Sequence, residues 1–412
     1  MLARLSLLLA LTTAAITVAA KPIVIRDSPI TLPIARRFNL TGVPSILKQD
    51  QARAKVLKAR SQGQGKGASP KKAAVFPVDV TNQAVDYTVS VGVGTPPTFY
   101  DLIVDTGSSN TWVGAGAEYV QTSSSVDTGD EVLVEYGSGL FFGEQFTDTV
   151  TIGDLIIENQ GVGAAELAFG FDGVDGILGI GPVDLTEGTT SSGEEIPTVL
   201  DSAFSQGSID ANVIGVSFAP TTELEVTNGV LTFGGVDDSK HTGKIAYVPI
   251  TSTSPASSYV GIDQSITYGA AGTTILPLTA GITDTGTTLI IIASDAFAVY
   301  QNVTGGVPDN NTGLLKITQE QFDNLESLFF HIGDNTYEFT ANAQIWPRAL
   351  NTAIGGDEDS VYLIVADLGS DSGEGLDFID GFSFLERFYY VYDVAGSRVG
   401  FATTEFTNAT TN

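Results

Sequence analysis

FYDLIVDTGSSNTWV, residues 99–113, and GITDTGTTLIII, residues 281–292, decide how this 412-residue chain is read. In each, an apolar run ends in Asp-Thr-Gly followed by a hydroxyl residue, Ser108 or Thr287. Asp105 and Asp284 stand 179 residues apart. A single Asp-Thr-Gly is only a strand that ends in an Asp turn. Two copies half a chain apart form an internal repeat, and a repeat of that period predicts two related lobes.

The texture around both copies is that of strands. Short runs rich in Val, Ile, Thr, Tyr and Phe are punctuated by Gly: DYTVSVGVG, EVLVEYGSG, VLTFGG, KIAYVPI and YYVYDVAGSRVGFAT. Helical stretches are few and short; IPTVLDSAFSQG, DAFAVYQNV and TQEQFDNLESLFF are the candidates. The fold class is therefore mainly β, with two β-rich lobes and a cleft between them. This texture begins near Ala73, and the chain beyond it exceeds one comfortable core. We place an N-terminal lobe at 73–255 and a C-terminal lobe at 256–412.

Charge separates the segment ahead of Ala73 from the rest. Residues 1–74 hold 13 of the 19 Lys and Arg but only two of the 48 Asp and Glu, so residues 75–412 carry a net charge of −40. No Lys or Arg lies between Lys72 and Lys240. Residues 1–20, with Arg4 ahead of an apolar stretch and small residues at its end, read as a signal peptide. The stretch is too short and too diluted by Thr for a membrane span. Residues 21–72 carry a net charge of +10 and end in Lys71-Lys72. They read as a basic propeptide, an intramolecular clamp on an acidic body that protonation of carboxylates would loosen. A persistent flexible arm is the other reading. A free N-terminal lobe without its basic segment is expected to repel itself as pH rises.

Composition removes several chemistries. So acidic a body does not bind a phosphate backbone, because that affinity comes from cations releasing counterions. With no Cys there is no disulfide framework, thiolate metal site or cysteine nucleophile. His241 and His331 lie too far apart in sequence for a local metal motif, and neither sits in a serine-hydrolase pattern. No metal, cofactor, nucleic acid or membrane partner is implied. Carboxylate is what remains. Two carboxyls facing each other cannot both ionise cheaply and share a proton. One can then take a proton from water while the other donates to a developing oxyanion. Ser108 and Thr287 can donate to the outer carboxylate oxygens, and Gly107 and Gly286, lacking Cβ, admit close approach.

These residues resemble the pepsin-like aspartic proteases, and the resemblance spans Asp105, Asp284 and nearly the whole acidic body. Tyr136-Gly137-Ser138-Gly139 is similar to the family's flap tip, and Asp175–Gly179 to its first apolar-apolar-Gly segment. Leu231–Gly243 resembles the strand and turn before the interlobe region, with Tyr259 following. The resemblance implies an aspartic-type endopeptidase working at acidic pH, with Asp105 and Asp284 catalytic and their order of roles open. It implies that Thr106 and Thr285 cross-link the two turns, and that Trp112 meets the flap residue Tyr136. Phe169, Phe171 and Ile177 would wall a subsite for bulky apolar side chains, with Thr288 a further substrate contact. Polypeptide substrates, a zymogen inhibited by its own propeptide, and a secreted, extracellular fungal monomer complete the expectation. Asn302, Asn310 and Asn408 are candidate glycosylation sites, as is Asn39 in the basic segment.

Two features depart from the family. The interval from Asp105 to Tyr136 is short and holds no disulfide-closed loop. The second apolar-apolar-Gly segment reads Ile379-Asp380-Gly381-Phe382, placing an acid where an apolar residue is expected. Burial of Asp380 would raise its pKa, so that its ionisation would destabilise the fold. Two further readings are a catalytically silent binding or inhibitor protein on this fold and a carboxylate-pair glycosidase. Intact Asp-Thr-Gly copies and flap Tyr argue against the first, and the repeat itself against the second.

Overall fold

A computed structural model describes residues 29–38, 45–60, 85–137 and 139–412. The expected signal peptide, Asn39, Lys71-Lys72 and Ser138 lie outside these residues. The basic segment supplies β1 (Ile30–Phe38) and α1 (Ile46–Ala59). Then come β2 (Val85–Val93), β3 (Thr98–Asp105), β4 (Thr111–Val113), β5 (Val126–Glu135), β6 (Leu140–Ile152), β7 (Leu155–Phe169) and β8 (Gly176–Gly179). After α2 (Val199–Ser205) follow β9 (Val213–Ser217), β10 (Val226–Phe233) and β11 (Ala246–Pro249). The second half begins with β12 (Gly261–Tyr268), β13 (Thr273–Thr283), β14 (Ile290–Ile292) and α3 (Ser294–Thr304). It continues with β15 (Val307–Pro308), β16 (Leu315–Ile317), α4 (Gln319–Asp323), β17 (Leu328–Ile332) and β18 (Asn335–Phe339). The chain ends through β19 (Val361–Leu363), β20 (Val365–Asp367), β21 (Phe378–Asp380), α5 (Phe382–Leu385), β22 (Phe388–Asp393) and β23 (Arg398–Thr403).

Local chemistry accounts for the punctuation. β6 alternates inward and outward residues along most of its length, and pairs with β7 across the two-residue turn Gly153-Asp154. Gly153 has φ 57°, a left-handed conformation that glycine adopts without a Cβ penalty. The expected helix over 318–330 is corrected: α4 ends at Asp323, and Leu328–Ile332 is strand β17. Leu328, Phe330 and Ile332 alternate inward there while the strand pairs with both β12 and β18. Tertiary pairing outweighs the helical pattern of the preceding residues.

Among the described residues the strands form a thirteen-stranded, a seven-stranded and a three-stranded sheet. β1 inserts between β10 and β2 in the largest one, so part of the basic segment is an interior strand. The last strands, β22 and β23, also join that sheet, β22 pairing with β9. The chain is thus mostly β and folds into two lobes whose C-terminal strands return to the shared sheet.

One three-stranded arrangement is built twice. β3 pairs in parallel with β8, which pairs antiparallel with β4. β13 pairs in parallel with β21, which pairs antiparallel with β14. Val104 faces Leu178 in the first copy and Thr283 faces Asp380 in the second. Glycine follows in both. A Cβ on Gly179 would meet the Ser109 carbonyl carbon at 2.5 Å, and one on Gly381 the Leu289 oxygen at 2.3 Å. The sheets thus deliver Asp105 and Asp284 at the ends of matching strands.

Where a disulfide-closed loop is missing, polar side chains hold the chain. Buried Asp148 accepts from Tyr119 Oη at 2.7 Å, from Ser124 Oγ and Ser125 Oγ at 2.6 Å each, and from the Thr149 amide at 2.8 Å. Burial alone would push this carboxyl up, but the donated hydrogen bonds outweigh it and hold the pKa below the ordinary value.

Candidate active site

Asp105 and Asp284 are both fully buried. Each carboxyl receives the same two donors from its own turn. Ser108 Oγ donates to Asp105 Oδ2 at 2.5 Å and Gly107 N to Oδ1 at 2.9 Å. Thr287 Oγ1 donates to Asp284 Oδ2 at 2.6 Å and Gly286 N to Oδ1 at 3.1 Å. The turns are stitched together by the middle threonines. Thr106 N donates to Thr285 Oγ1 at 2.9 Å, and Thr285 N to Thr106 Oγ1 at 3.0 Å. Thr285 Oγ1 in turn donates to the Val104 carbonyl at 2.8 Å. This reciprocal pairing leaves neither carboxyl free to rotate away, the preorganisation that electrostatic catalysis requires.

A third charged group lies between them. Arg53 of α1 donates from Nη2 to Asp105 Oδ1 at 2.5 Å and to Asp284 Oδ1 at 3.0 Å, and from Nε to Asp284 Oδ2 at 2.6 Å. A planar guanidinium fits this fork in a way that a point-charge ammonium cannot. Burial drives both acids up, but the two respond differently to Arg53. At Asp284 its charge, its hydrogen bond and the Thr287 and Gly286 donors prevail, and the pKa falls below the ordinary value. At Asp105 burial, helped by the charge of Asp284, outweighs Arg53 and the pKa is raised. With Arg53 in place the two acids are thus pushed in opposite directions. Arg53 itself is raised: burial opposes its charge, and the two carboxylates more than compensate.

The rest of α1 fills the cleft. Asp50 accepts from Leu289 N at 2.8 Å and Thr288 N at 3.3 Å. Burial pushes it up to about 7 against the pull of those amides and of Arg53. Tyr259 Oη donates to the Leu57 carbonyl at 2.7 Å, and Gln51 Nε2 to the Asp367 carbonyl at 2.8 Å. Lys58 bonds Ser370 and pairs with Glu374 at 2.8 Å. Ile46 and Leu57 are buried, and each such side chain contributes about 1.5–3 kcal/mol. On β1, Arg36 pairs with buried Glu386 at 3.1 Å and lies over the Phe382 ring.

The residues expected in the flap close over the same helix. Trp112 Nε1 donates to Tyr136 Oη at 2.9 Å. Phe141 stacks on Trp112 with ring centroids 4.4 Å apart, and Phe171 meets Trp112 and Tyr136 edge-on at 4.8 and 5.5 Å. Gly137, φ 84°, abuts α1: a Cβ there would meet the Ala52 oxygen at 2.5 Å. Phe171 and Ile177 are buried in this aromatic cluster, whereas Phe169, expected beside them, is 47% exposed at the end of β7. Thr288 reaches the cleft through its main-chain amide. Asn302, Asn310 and Asn408 are exposed.

Sequence reasoning named the Asp pair, their hydroxyl and glycine neighbours, Trp112, Tyr136 and Tyr259, and these meet at the cleft. It missed Arg53, Asp50, Gln51 and Arg36. It treated the basic segment as a collective charge, and no local spacing singles out Arg53 among its neighbours.

Two lobes delivering paired Asp-Thr-Gly turns to one cleft define a class, and the family comparison agrees. Residues 86–404 match the model of the eukaryotic aspartyl proteases, and the chain belongs to that family. It is an aspartic-type endopeptidase of the pepsin-like group. The chain is 64% identical over 337 residues to polyporopepsin of Irpex lacteus, an alignment covering 81% of this chain and 99% of that relative. It is 31% identical to a vacuolar aspartic protease of Candida albicans, covering 82% of this chain and 80% of the relative. Its structure matches the crystal structure of aspartic proteinase from Irpex lacteus with a TM-score of 0.78 and 65% identity, over 79% of this chain and 96% of the other.

Proposed function

We propose that the chain is the zymogen of a secreted acid endopeptidase in which Asp105 and Asp284 jointly activate one water. The observation that carries this reading is the joined pair of turns, with both buried carboxyls reached by a single guanidinium. Once α1 leaves, a water takes the place of the Arg53 donors between the two acids. The ionised carboxyl removes its proton as it attacks the scissile carbonyl, and the protonated one donates to the oxyanion. Thr106 and Thr285 hold the pair in register, and Ser108 and Thr287 hold the outer oxygens.

Specificity for bulky apolar residues follows from the walls Phe171 and Ile177 and from the flap, where Trp112 orients Tyr136. Closure of the flap excludes water from the reacting groups. Thr288 and Tyr259 engage the substrate main chain in the positions that Asp50 and Leu57 of α1 occupy. In this reading 21–72 is an inhibitory propeptide, released at the Lys71-Lys72 end, and 1–20 directs secretion of a monomer bearing glycans on its sequons.

Acid triggers release. Asp284 has a lowered pKa while Arg53 is bound, so the contact stabilises the closed form above the ordinary carboxylate pKa. That stabilisation is lost as pH falls through the lowered value. The test is processing and cleavage of a denatured protein by the full chain after acidification, compared with Asp105→Asn and Asp284→Asn. Loss of cleavage in both variants supports the reading, and cleavage by either variant at the rate of the unaltered chain refutes it.

A further inference from the structure

The two copies of the active-site arrangement differ at one pair of buried positions. Counted from each Asp, Asp380 stands where the first copy has Leu178: Thr283 faces Asp380 and Val104 faces Leu178. Gln264 stands where the first copy has Val91: Gln264 faces Thr279 and Val91 faces Tyr100, five residues before Asp284 and Asp105. Leu178 and Val91 are fully buried, and so are Asp380 and Gln264. An apolar pair in one lobe has thus become an acid and an amide in the other, both substituted together.

The two polar groups meet. Gln264 Nε2 donates to Asp380 Oδ1 at 3.2 Å. Among the described residues, the remaining atoms of each group, Asp380 Oδ2 and Gln264 Oε1, have no hydrogen-bond partner. Both are acceptors, and each such buried orphan is costly. One proton on Oδ2 supplies what both lack. It would turn the acceptor into a donor that Oε1 can accept, closing a reciprocal acid–amide ring.

Among the described residues, no neighbouring charge competes for this carboxyl. β13, β14 and α5 carry no titratable side chain. Asp263 of β12 is exposed and accepts from Thr251, and Tyr268 at the far end of β12 accepts from the Glu326 amide. Asp377, just ahead of β21, is held by Thr279 and the amides of Gly373 and Glu374. Glu386, beyond α5, pairs with Arg36, and Asp284 faces Arg53. Burial, opposed only by the Gln264 hydrogen bond, pushes Asp380 up to about 8.

The position of the pair relates it to the reaction. The Asp380 carbonyl accepts the Asp284 amide at 3.1 Å, Gly381 N donates to the Leu289 carbonyl at 3.1 Å, and Phe382 N to the Thr287 carbonyl at 2.8 Å. β21 is the floor on which the second Asp-Thr-Gly turn rests. We propose that Asp380 is kept as a neutral acid by Gln264, and that this acid–amide pair fixes the floor strand beneath Asp284, making Asp380 a positioning residue for the dyad. It follows that loss of the Asp380 proton loosens the Asp284 turn. A raised pKa in the folded state means the contribution is full at acid pH and disappears as pH rises through that value.

Asparagine is the diagnostic substitution, because its amide reproduces the protonated acid's donor and acceptor at every pH. The inference rests on Asp284 being catalytic, so one arm avoids activity altogether. Infrared difference spectra of the full chain against Asp380→Asn, at mildly acid pH, are expected to show a carboxylic-acid carbonyl band that vanishes as pH is raised past about 8. In the second arm the chains are held at rising pH and assayed after return to acid. Asp380→Asn is expected to shift the inactivation midpoint upward, and to restore the kcat lost in Asp380→Ala, with KM little changed in both. The double variant Asp380→Leu with Gln264→Val, which copies the first lobe, is expected to lose the infrared band and that inactivation step as well. A spectrum without the band, or one inactivation profile shared by the unaltered chain, Asp380→Asn and the double variant, overturns the inference. An inactive unaltered chain that still shows the band overturns the proposed function instead.

Discussion

Arg53 donates through Nε to Asp284 Oδ2 at 2.6 Å, although 231 residues of chain separate them. The pair is buried from both sides. A buried ion pair gains from its geometry only while both partners are present, and losing one leaves an uncompensated charge that costs about 3–5 kcal/mol.

Replacing Arg53 by Met should therefore weaken the hold of α1 on the cleft. Two buried acids left facing each other would share a proton, and the closed form would no longer gain from an ionised Asp284. The expected outcome is processing of the full chain at higher pH than in the unaltered chain, followed by gel electrophoresis over a pH series. An unchanged threshold would show that other contacts of α1 hold the segment.

The dyad itself is tested by amide substitution. Asp105→Asn and Asp284→Asn each keep the shape of the site but remove the acid–base function, a loss on the order of 100- to 10,000-fold in kcat. Folding should persist, since Ser108, Thr287 and the threonine cross-link remain. Circular dichroism, alongside peptide hydrolysis assayed on acid-processed chain, separates lost chemistry from lost structure.

Trp112→Phe probes the flap. It retains the stack on Phe141 but removes the indole donor to Tyr136. A lost hydrogen bond of this kind is worth about 0.5–1.5 kcal/mol, so kcat/KM should fall roughly 2- to 10-fold. Tyr136→Phe breaks the same bond from the other side. The double variant should then lose little more than either single change, a coupling that a double-mutant cycle measures directly.

Asp148 gives a pH-dependent stability test with the opposite sign to Asp380. Its pKa is lowered in the fold, so its contribution is present above the ordinary carboxylate value and is lost as pH falls through the lowered one. Asp148→Asn should lower stability by about 1–3 kcal/mol at mildly acid pH. The Tm difference from the unaltered chain should shrink as pH is lowered further. A difference independent of pH would mean that packing, not charge, accounts for the loss.

Much of this architecture was legible in the linear order of residues, and particular elements show why. The two Asp-Thr-Gly copies carried two lobes, a cleft and the chemistry, because repetition at long range is visible without coordinates. The strand runs DYTVSVGVG and EVLVEYGSG were legible because alternation and punctuation act locally. The segment 318–330 misled, since Leu328–Ile332 takes its conformation from pairing with β12 and β18.

What the chain's order determined by itself was the class of fold, the acid pair and the opposite charge of its first and later segments. Tertiary structure alone decided which of the many basic side chains reaches the acids, and that the Gln264 amide meets Asp380. It also placed β1 inside the main sheet. The physical reason is the same in each case. Periodicity and motif record how a residue behaves beside its near neighbours, whereas burial, desolvation and ion pairing depend on groups brought together from hundreds of residues away. Arg53 is one more cation in sequence; in the fold it bonds both Asp105 and Asp284.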